Sequence, residues 1–379
     1  MAGGNALSFL HVVKPEIDLD EAVDLYAPEV YRKGAENLKR FKEDGTLIRD
    51  DSPCFYFYEQ RMGEHVQTGL MAGASIEEYE KDLIKKHELT RMEKEEDRIR
   101  HIEAQNAQSG PVFLTYRSRP EIKSLLEGIR TRKPDYDFVA PDEVQHTLWV
   151  VSDPDTIQRI QNEFAAVPAL YVADGHHRSA AGTRVGQKRR KANPAHTGKE
   201  PYNFFLSVIF PHDEMQILAY NRVVKDLGGR SPGAFREALS EWFEIEEIPQ
   251  TTDPTPQKPH EFGLYVGGQW YRLQAKAKAY DETDPVGSLD VSILQEKVLA
   301  PILGIENPRT DQRVDFVGGI RGVGELEKRC RQGWAAAFLL YPTTIEQLLS
   351  VADAGKIMPP KSTWFEPKLR SGMVIHPLD

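Results

Sequence analysis

The stretch ALYVADGHHRSAAGTRV, Ala169 to Val185, reads as a strand that runs into a tight turn and continues as a helix. Ala169–Ala173 is short and apolar, as a buried strand is. Gly175 permits a turn and lets a ligand approach the backbone. Gly175–Arg190 then reads as a helix that becomes strongly basic. The first amides of such a helix lack intrahelical acceptors, and the positive end of its dipole points into the turn, so the geometry suits an anion such as phosphate. Arg178 adds a planar fork for phosphate oxygens. His176 and His177 are consecutive and project about 100° apart, so one can face a ligand and the other the core. Asp174 fits an anion pocket if it holds a magnesium ion or accepts a proton from an attacking hydroxyl. The same residues also allow a plain reading: Asp174 as a helix N-cap, the histidines as core groups and Arg178 on the surface.

Outward from this turn, strand-like runs alternate with helical ones, which predicts a mixed α/β fold. Toward the N-terminus the expected elements are a strand at Ser8–Val13, a helix at Asp20–Glu43, strands at Cys54–Tyr58, Thr68–Ala74, Pro111–Tyr116 and His146–Ser152, and helices at Pro120–Ile129 and Asp155–Phe164. Ser75–Arg100 is dense in charge and opens on the capping pattern Ser-Ile-Glu-Glu. Beyond the turn, Asn203–Phe210 and Met215–Val224 read as a strand pair. Glu261–Val266 and Trp270–Ala275 read as a hairpin across Gly267-Gly268, and Asp290–Leu303 as an amphipathic helix. The Pro- and Thr-rich run 249–260 is the expected linker, between a main domain over 1–248 and a C-terminal α/β part over 261–379 that packs back on it.

The chain has 379 residues, 40% hydrophobic and 28% charged, with a net charge of −10. That acidity argues against a nucleic-acid binder, whose surface must neutralise phosphates. No apolar run is long enough to span a bilayer. The start MAGGNALSFLHVV lacks the regions of a secretory signal, and two cysteines, Cys54 and Cys330, make no disulfide framework. A cytoplasmic location and a small-molecule substrate are expected.

Other candidate chemistry is sparse. Met358–Lys368 sets Lys361, Ser362, Thr363 and Lys368 among stiffening prolines, a pattern able to grip a phosphate or to serve as a packed tail. His87-Glu88 fails as a zinc-protease motif because Arg91 stands where the second histidine belongs. Lys86, His87, Glu88, Thr90 and Arg98 are candidate pocket residues nonetheless. Arg222 ends an apolar strand. No P-loop, G-x-G-x-x-G or G-x-S-x-G motif occurs.

The stretches SFLHVVKPEIDL, CFYFYEQ, KKHELT, EEDRIRHI, YVADGHHRSAAGTR, LDVSILQEKVLAPILGI and MPPKSTWFEPKLRSGMVIHPL together resemble the domain-of-unknown-function 1015 family over nearly the whole chain. More distantly, that family is similar to the ParB/sulfiredoxin superfamily, whose free-serine kinases carry a loop like Asp174–Arg178. The resemblance implies a ParB/sulfiredoxin-like core and a nucleotide-dependent phosphotransferase acting on a small hydroxylated metabolite, an amino acid such as serine among them. ATP or another nucleotide and Mg²⁺ are the implied cofactors. Gly175, His176, Arg178, Lys361, Ser362 and Thr363 would bind the cofactor, Asp174 would hold the metal, and Asp174, His177 and His87 would serve catalysis. The alternatives are a non-catalytic nucleotide-binding regulator and a metal-dependent hydrolase built from His176, His177, Asp174 and His87. Two departures stand out: the family begins with a Pro-Pro-Tyr-Asp segment ahead of the position of Met1, as a late start codon or truncation would remove, and it carries an aromatic residue where Glu366 stands.

Overall fold

The computed structural model describes every residue except Met1, Gly3 and Gln250. The chain divides into two compact units, one made of Met1–Met215 with Pro367–Asp379 and the other of Gln216–Glu366.

The first unit is built on an eight-stranded mixed sheet. Its strands are β1 (Phe55–Met62), β2 (His65–Ser75), β3 (Ile84–Lys85), β5 (Val112–Tyr116), β6 (Tyr136–Val139), β7 (Gln145–Val151), β8 (Leu170–Asp174) and β9 (Phe204–Pro211), while β4 (Ala107–Gln108) lies outside it. Their order is β3-β8-β5-β9-β2-β1-β7-β6. The β3–β8 and β5–β9 pairs are parallel and the rest antiparallel. All five residues of β5 are buried, as expected of a strand in the middle of a sheet. The helices are α1 (Leu10–Val13), α2 (Pro28–Glu43), α3 (Ile76–Glu80), α4 (Met92–Gln105), α5 (Pro120–Arg130), α6 (Pro154–Ala165) and α7 (His176–Ala192). Ile122, Leu126 and Ile129 of α5 and Ile160 of α6 join Leu114, Trp149, Val172 and Ile209 in the main core. Each such side chain contributes about 1.5–3 kcal/mol by leaving water. Ile99 of α4 meets Ala181 and Val185 of α7 in a smaller cluster, and this pairing sets the wall of the site described below. Ser75 caps α3, its Oγ accepting from the Glu78 amide at 3.3 Å. Ser75→Ala should lower the urea midpoint by the equivalent of about 1 kcal/mol with unchanged slope.

The second unit carries a six-stranded antiparallel sheet. Its elements are β10 (Gln216–Leu218), β11 (Tyr220–Val224), α8 (Pro232–Leu239), β12 (Phe243–Glu247), β13 (Glu261–Val266), β14 (Gln269–Ala275), α9 (Asp290–Leu294), β15 (Val314–Gly318), α10 (Gly322–Arg331), β16 (Ala336–Leu340), α11 (Ile345–Asp353) and β17 (Trp364–Glu366). The sheet order is β12-β14-β13-β16-β11-β15. The last strand, β18 (His376–Pro377), belongs to the first unit and pairs with β4.

The mixed α/β class agrees with the sequence reading, and several local expectations need correction. Ser8–Val13 is not a strand. It closes a short helical turn in which the Ser8, Phe9 and Leu10 carbonyls accept from backbone amides, while Asn37 Nδ2 donates to His11 O at 2.7 Å and Gln105 Nε2 to Val12 O at 3.0 Å. The helix expected from Asp20 begins only at Pro28, because a residue before proline is pushed out of helical geometry. Asp20 and Asp24 hold turns there, accepting from the Ala22 and Tyr26 amides. The Asn203–Phe210 and Met215–Val224 strands do not pair: β9 joins β2 and β5, whereas β11 joins β15 and β16. The expected helix Asp290–Leu303 gives way after Leu294 to a π-turn over Gln295–Leu299. The division of the chain also falls elsewhere than at 248. β12 before the expected linker and β13 after it both pair with β14, so the expected boundary falls between two strands of one sheet. Gln250 lies outside the described residues. No helix among the described residues is long and apolar enough to cross a membrane.

Candidate functional site

β8 leads directly into α7. The β5–β8 pairing shifts register between Phe113 and Leu114, a bulge beside the turn. Gly175 adopts φ +96°, a left-handed conformation that disfavours any side chain. The Gly175 carbonyl accepts from the amides of Arg178 (2.8 Å) and Ser179 (3.0 Å), which fixes the first turn of α7. The His176 and His177 amides are first-turn donors, for which the helix supplies no acceptor.

The side chains of the turn separate. Asp174 is half-exposed and its Oδ2 lies 2.9 Å from Lys368 Nζ. His176 is 3% exposed, and its ring stands edge-on to that of His87, itself 2% exposed, with centroids 4.5 Å apart. Burial pushes His87 down to about 4, against the opposing pull of the Asp174 charge and the Val172 carbonyl. Burial, then the neighbouring histidines and Lys86, hold His176 well below the usual imidazole range. Both rings are therefore neutral, and among the described residues His87 Nδ1 and His176 Nε2 find no hydrogen-bond partner. His177 takes another direction: its Nε2 accepts from the Arg91 amide at 3.1 Å, which ties the 86–91 loop to α7. Burial and then Arg91 lower its pKa. The family resemblance implies catalytic roles for His87 and His177, in proton transfer or charge stabilisation. In the structure His87 is sealed in the core and His177 spends Nε2 on a backbone amide.

Arg178 turns inward. Its Nη1 donates to Pro111 O at 3.0 Å, and burial, followed by the repulsion of Arg98, lowers its pKa. Arg178 and Arg98 line one cavity of about 50 Å³ with His101, Gln105, Gln108, Ser109 and Gly110. No Asp or Glu lines it. Arg98 reaches a carboxylate, Asp97 Oδ2, only at 3.5 Å, and among the described residues Arg178 has no carboxylate within 4.0 Å. Two guanidiniums sharing an acid-free cavity repel one another unless an anion sits between them. The sequence reading flagged Arg98 but missed His101, Ser109 and Gly110; the Asp97-Arg98-x-x-His101 spacing on one helix face was the available signal.

The other predicted binding residues lie in the second unit. The Ser362 hydroxyl is buried and donates to Pro359 O at 2.7 Å, while Thr343 Oγ1 donates to Ser362 O at 2.9 Å. Lys361 is exposed, at φ +60°, and its carbonyl accepts from Arg222 Nη2 at 2.9 Å. Arg222 is buried, and desolvation pulls its pKa down to about 9. Thr363 is half-buried. Glu366 accepts from Trp364 Nε1 at 2.7 Å. For Ser362 and Arg222, these contacts describe a loop held by its own hydrogen bonds.

Among the described residues no group of three or more His, Cys, Asp or Glu side chains is placed to hold a metal. The hydrolase expectation built on Asp174, His176, His177 and His87 therefore lacks its ligand set: two of those rings face each other in the core and the third is engaged by Arg91.

The model of the family described as "Protein of unknown function (DUF1015)" matches residues 1–292. The chain belongs to this family. No curated protein matches it. Among solved structures, the DUF1015 chain is similar to a free serine kinase in complex with AMP, at 12% identity and a TM-score of 0.39, over 78% of this chain and 86% of that one. It is similar also to SbnI with a C-terminal truncation from Staphylococcus aureus, at 12% identity and a TM-score of 0.40, over 79% and 84%. A conserved hypothetical protein from Pyrococcus furiosus shares 13% identity at a TM-score of 0.37, over 79% and 93%. Likenesses this distant transfer no residue role to the DUF1015 chain.

Proposed function

We propose that the chain is a nucleotide-dependent phosphotransferase acting on a small hydroxylated metabolite, with a hydroxy amino acid such as serine as the first acceptor to try. The observation that carries this reading is the acid-free cavity at the start of α7, where Arg98 and Arg178 converge. At about 50 Å³ it takes a single oxyanion group, not a whole nucleotide. It therefore seats one phosphate of a longer ligand whose remainder lies outside.

In this reading the two arginines and the first amides of α7 neutralise the phosphate charge. Asp174, half-exposed at the turn beside Lys368, accepts the proton of the acceptor hydroxyl as its oxygen attacks phosphorus and the bond to the bridging oxygen breaks. Lys368 then stands beside the transferred charge. A magnesium ion held chiefly by phosphate oxygens needs only one or two protein carboxylates. Asp174 is the carboxylate at the turn and would be that ligand.

The test is a thermal-shift panel of ATP, CTP, ADP, AMP and inorganic phosphate with magnesium, followed by product analysis with hydroxy amino acids. We expect a nucleotide-dependent rise in melting temperature and release of ADP (from ATP) or AMP (from ADP) that requires one acceptor. Arg178→Ala should weaken nucleotide binding by roughly 10- to 100-fold, the worth of charged hydrogen bonds to phosphate. Nucleotide binding with no acceptor dependence would convert the reading to a regulator, and a panel in which nothing binds would end it.

A further inference from the structure

We infer that His101 is the proton-carrying residue of the Arg98–Arg178 cavity, so that this site takes a dianionic oxyanion group together with one proton. The inference rests on the cavity being the anion site proposed above.

The geometry behind it is a file of three groups leading into the cavity. Tyr31, on α2, donates from Oη to Asp97 Oδ1 at 3.1 Å. Asp97 is buried on α4, one turn before His101, whose Nε2 lies 3.8 Å from the same Oδ1. The Tyr31 ring meets the His101 ring edge-on, with centroids 4.8 Å apart. His101 thus has an aromatic ring against its face or edge, a carboxylate behind it, and the cavity as another of its surroundings. Asp97 itself does not line the cavity.

The charges around His101 decide its protonation. On its own helix stand Asp97 and Arg98; from α2 comes Tyr31, with Arg100 over that ring; from α7 Arg178 shares the cavity. With only protein groups present, burial and Arg98 outweigh Asp97 and the imidazole is neutral. A dianion between the two arginines reverses this balance. Its two charges offset the guanidiniums, and the imidazolium gains one carboxylate on one side and the oxyanion on the other. The ring then binds a proton and becomes a third cationic donor to the ligand. Anion affinity is therefore coupled to proton uptake: affinity rises as pH falls, by up to about tenfold per unit while the unliganded ring remains neutral and the liganded ring is charged.

Sulfate separates the protein's proton from the ligand's, because it remains a dianion across the useful range. Sulfate is titrated into the full chain by calorimetry at about pH 6, in two buffers of different ionisation enthalpy. The expected result is uptake of between one half and one proton per sulfate, falling to near zero in His101→Gln. Asp97→Asn should reduce the uptake and still fold if His101→Gln does not. The His101 ring resonance followed by NMR should move to a higher pKa with sulfate present. Sulfate binding that is lost in Arg178→Ala yet takes up no proton in the wild type would overturn the role of His101 and leave the phosphate site standing. Failure of both sulfate and nucleotides to bind would remove the site and this inference together.

Discussion

Gly186→Ala is expected to destabilise the chain by about 2–3 kcal/mol, whereas the same substitution at Gly128 should stabilise it by about 0.5–1 kcal/mol. Both glycines sit inside helices, where alanine is intrinsically preferred. At Gly128 on α5 an added Cβ meets nothing within 4 Å, so only the gain remains. At Gly186 on α7 it would collide with Ile76 Cδ1 and with the carbonyl oxygen of Tyr202. The Ile76 side chain can turn aside. The Tyr202 carbonyl belongs to the turn Pro201–Asn203 that feeds β9, and it moves only if the backbone moves. The clash therefore exceeds the propensity gain. Urea unfolding of the two variants against the wild type checks the opposite signs. A Gly186→Ala protein as stable as Gly128→Ala would show that α7 does not approach the 201–203 turn this closely. Because α7 also carries Arg178, its displacement should weaken anion binding as well.

This packing explains what the sequence disclosed about the site and what it hid. The strand, turn and helix of 169–185 were legible because each carries a local signal: an apolar run, a glycine with positive φ and a basic helix. The buried face of α7 was not. Beyond His176 it is made of Ser179, Ala181, Gly182, Thr183, Val185 and Gly186, and small residues give little hydrophobic periodicity even when they permit the closest contacts. The inward course of Arg178 was equally hidden, since it depends on Pro111 and on Arg98, contacts made by folding and not by spacing. The histidines show the same limit. Two adjacent rings announce chemistry, but only the fold reveals that His176 meets His87 and that His177 holds Arg91. Ser8–Val13 differs from expectation for a related reason: six apolar-rich residues look like a strand, but they close a helical turn whose His11 and Val12 carbonyls are met by the distant Asn37 and Gln105.

Acidification should unfold the chain cooperatively through these same histidines. The His87 pKa falls from the ordinary value near 6.5 to about 4 in the folded chain, and burial holds His176 well below the ordinary value too. A depressed folded pKa means that the unfolded chain binds more protons between the two values. Stability is therefore fully present above about pH 6.5 and declines as pH falls toward the folded pKa. His87 alone contributes roughly 3 kcal/mol of this loss over the whole window, at about 1.4 kcal/mol per pKa unit. His176 adds to it in the same sense, because protonating either ring places a charge against its neighbour at 4.5 Å between centroids. The loss has a local consequence before the global one. His177 must stay unprotonated at Nε2 to accept from Arg91, so acid releases the 86–91 loop from α7 as well. Urea titrations between about pH 7.5 and 4.5 should give a midpoint that drops steadily with pH. In His87→Gln, which carries no titrating ring at that position, the slope should fall by about one proton, whatever the variant's stability at neutral pH. An unchanged slope would mean that the His87–His176 pair opens to water, and would remove the packed, neutral pair from beneath the turn.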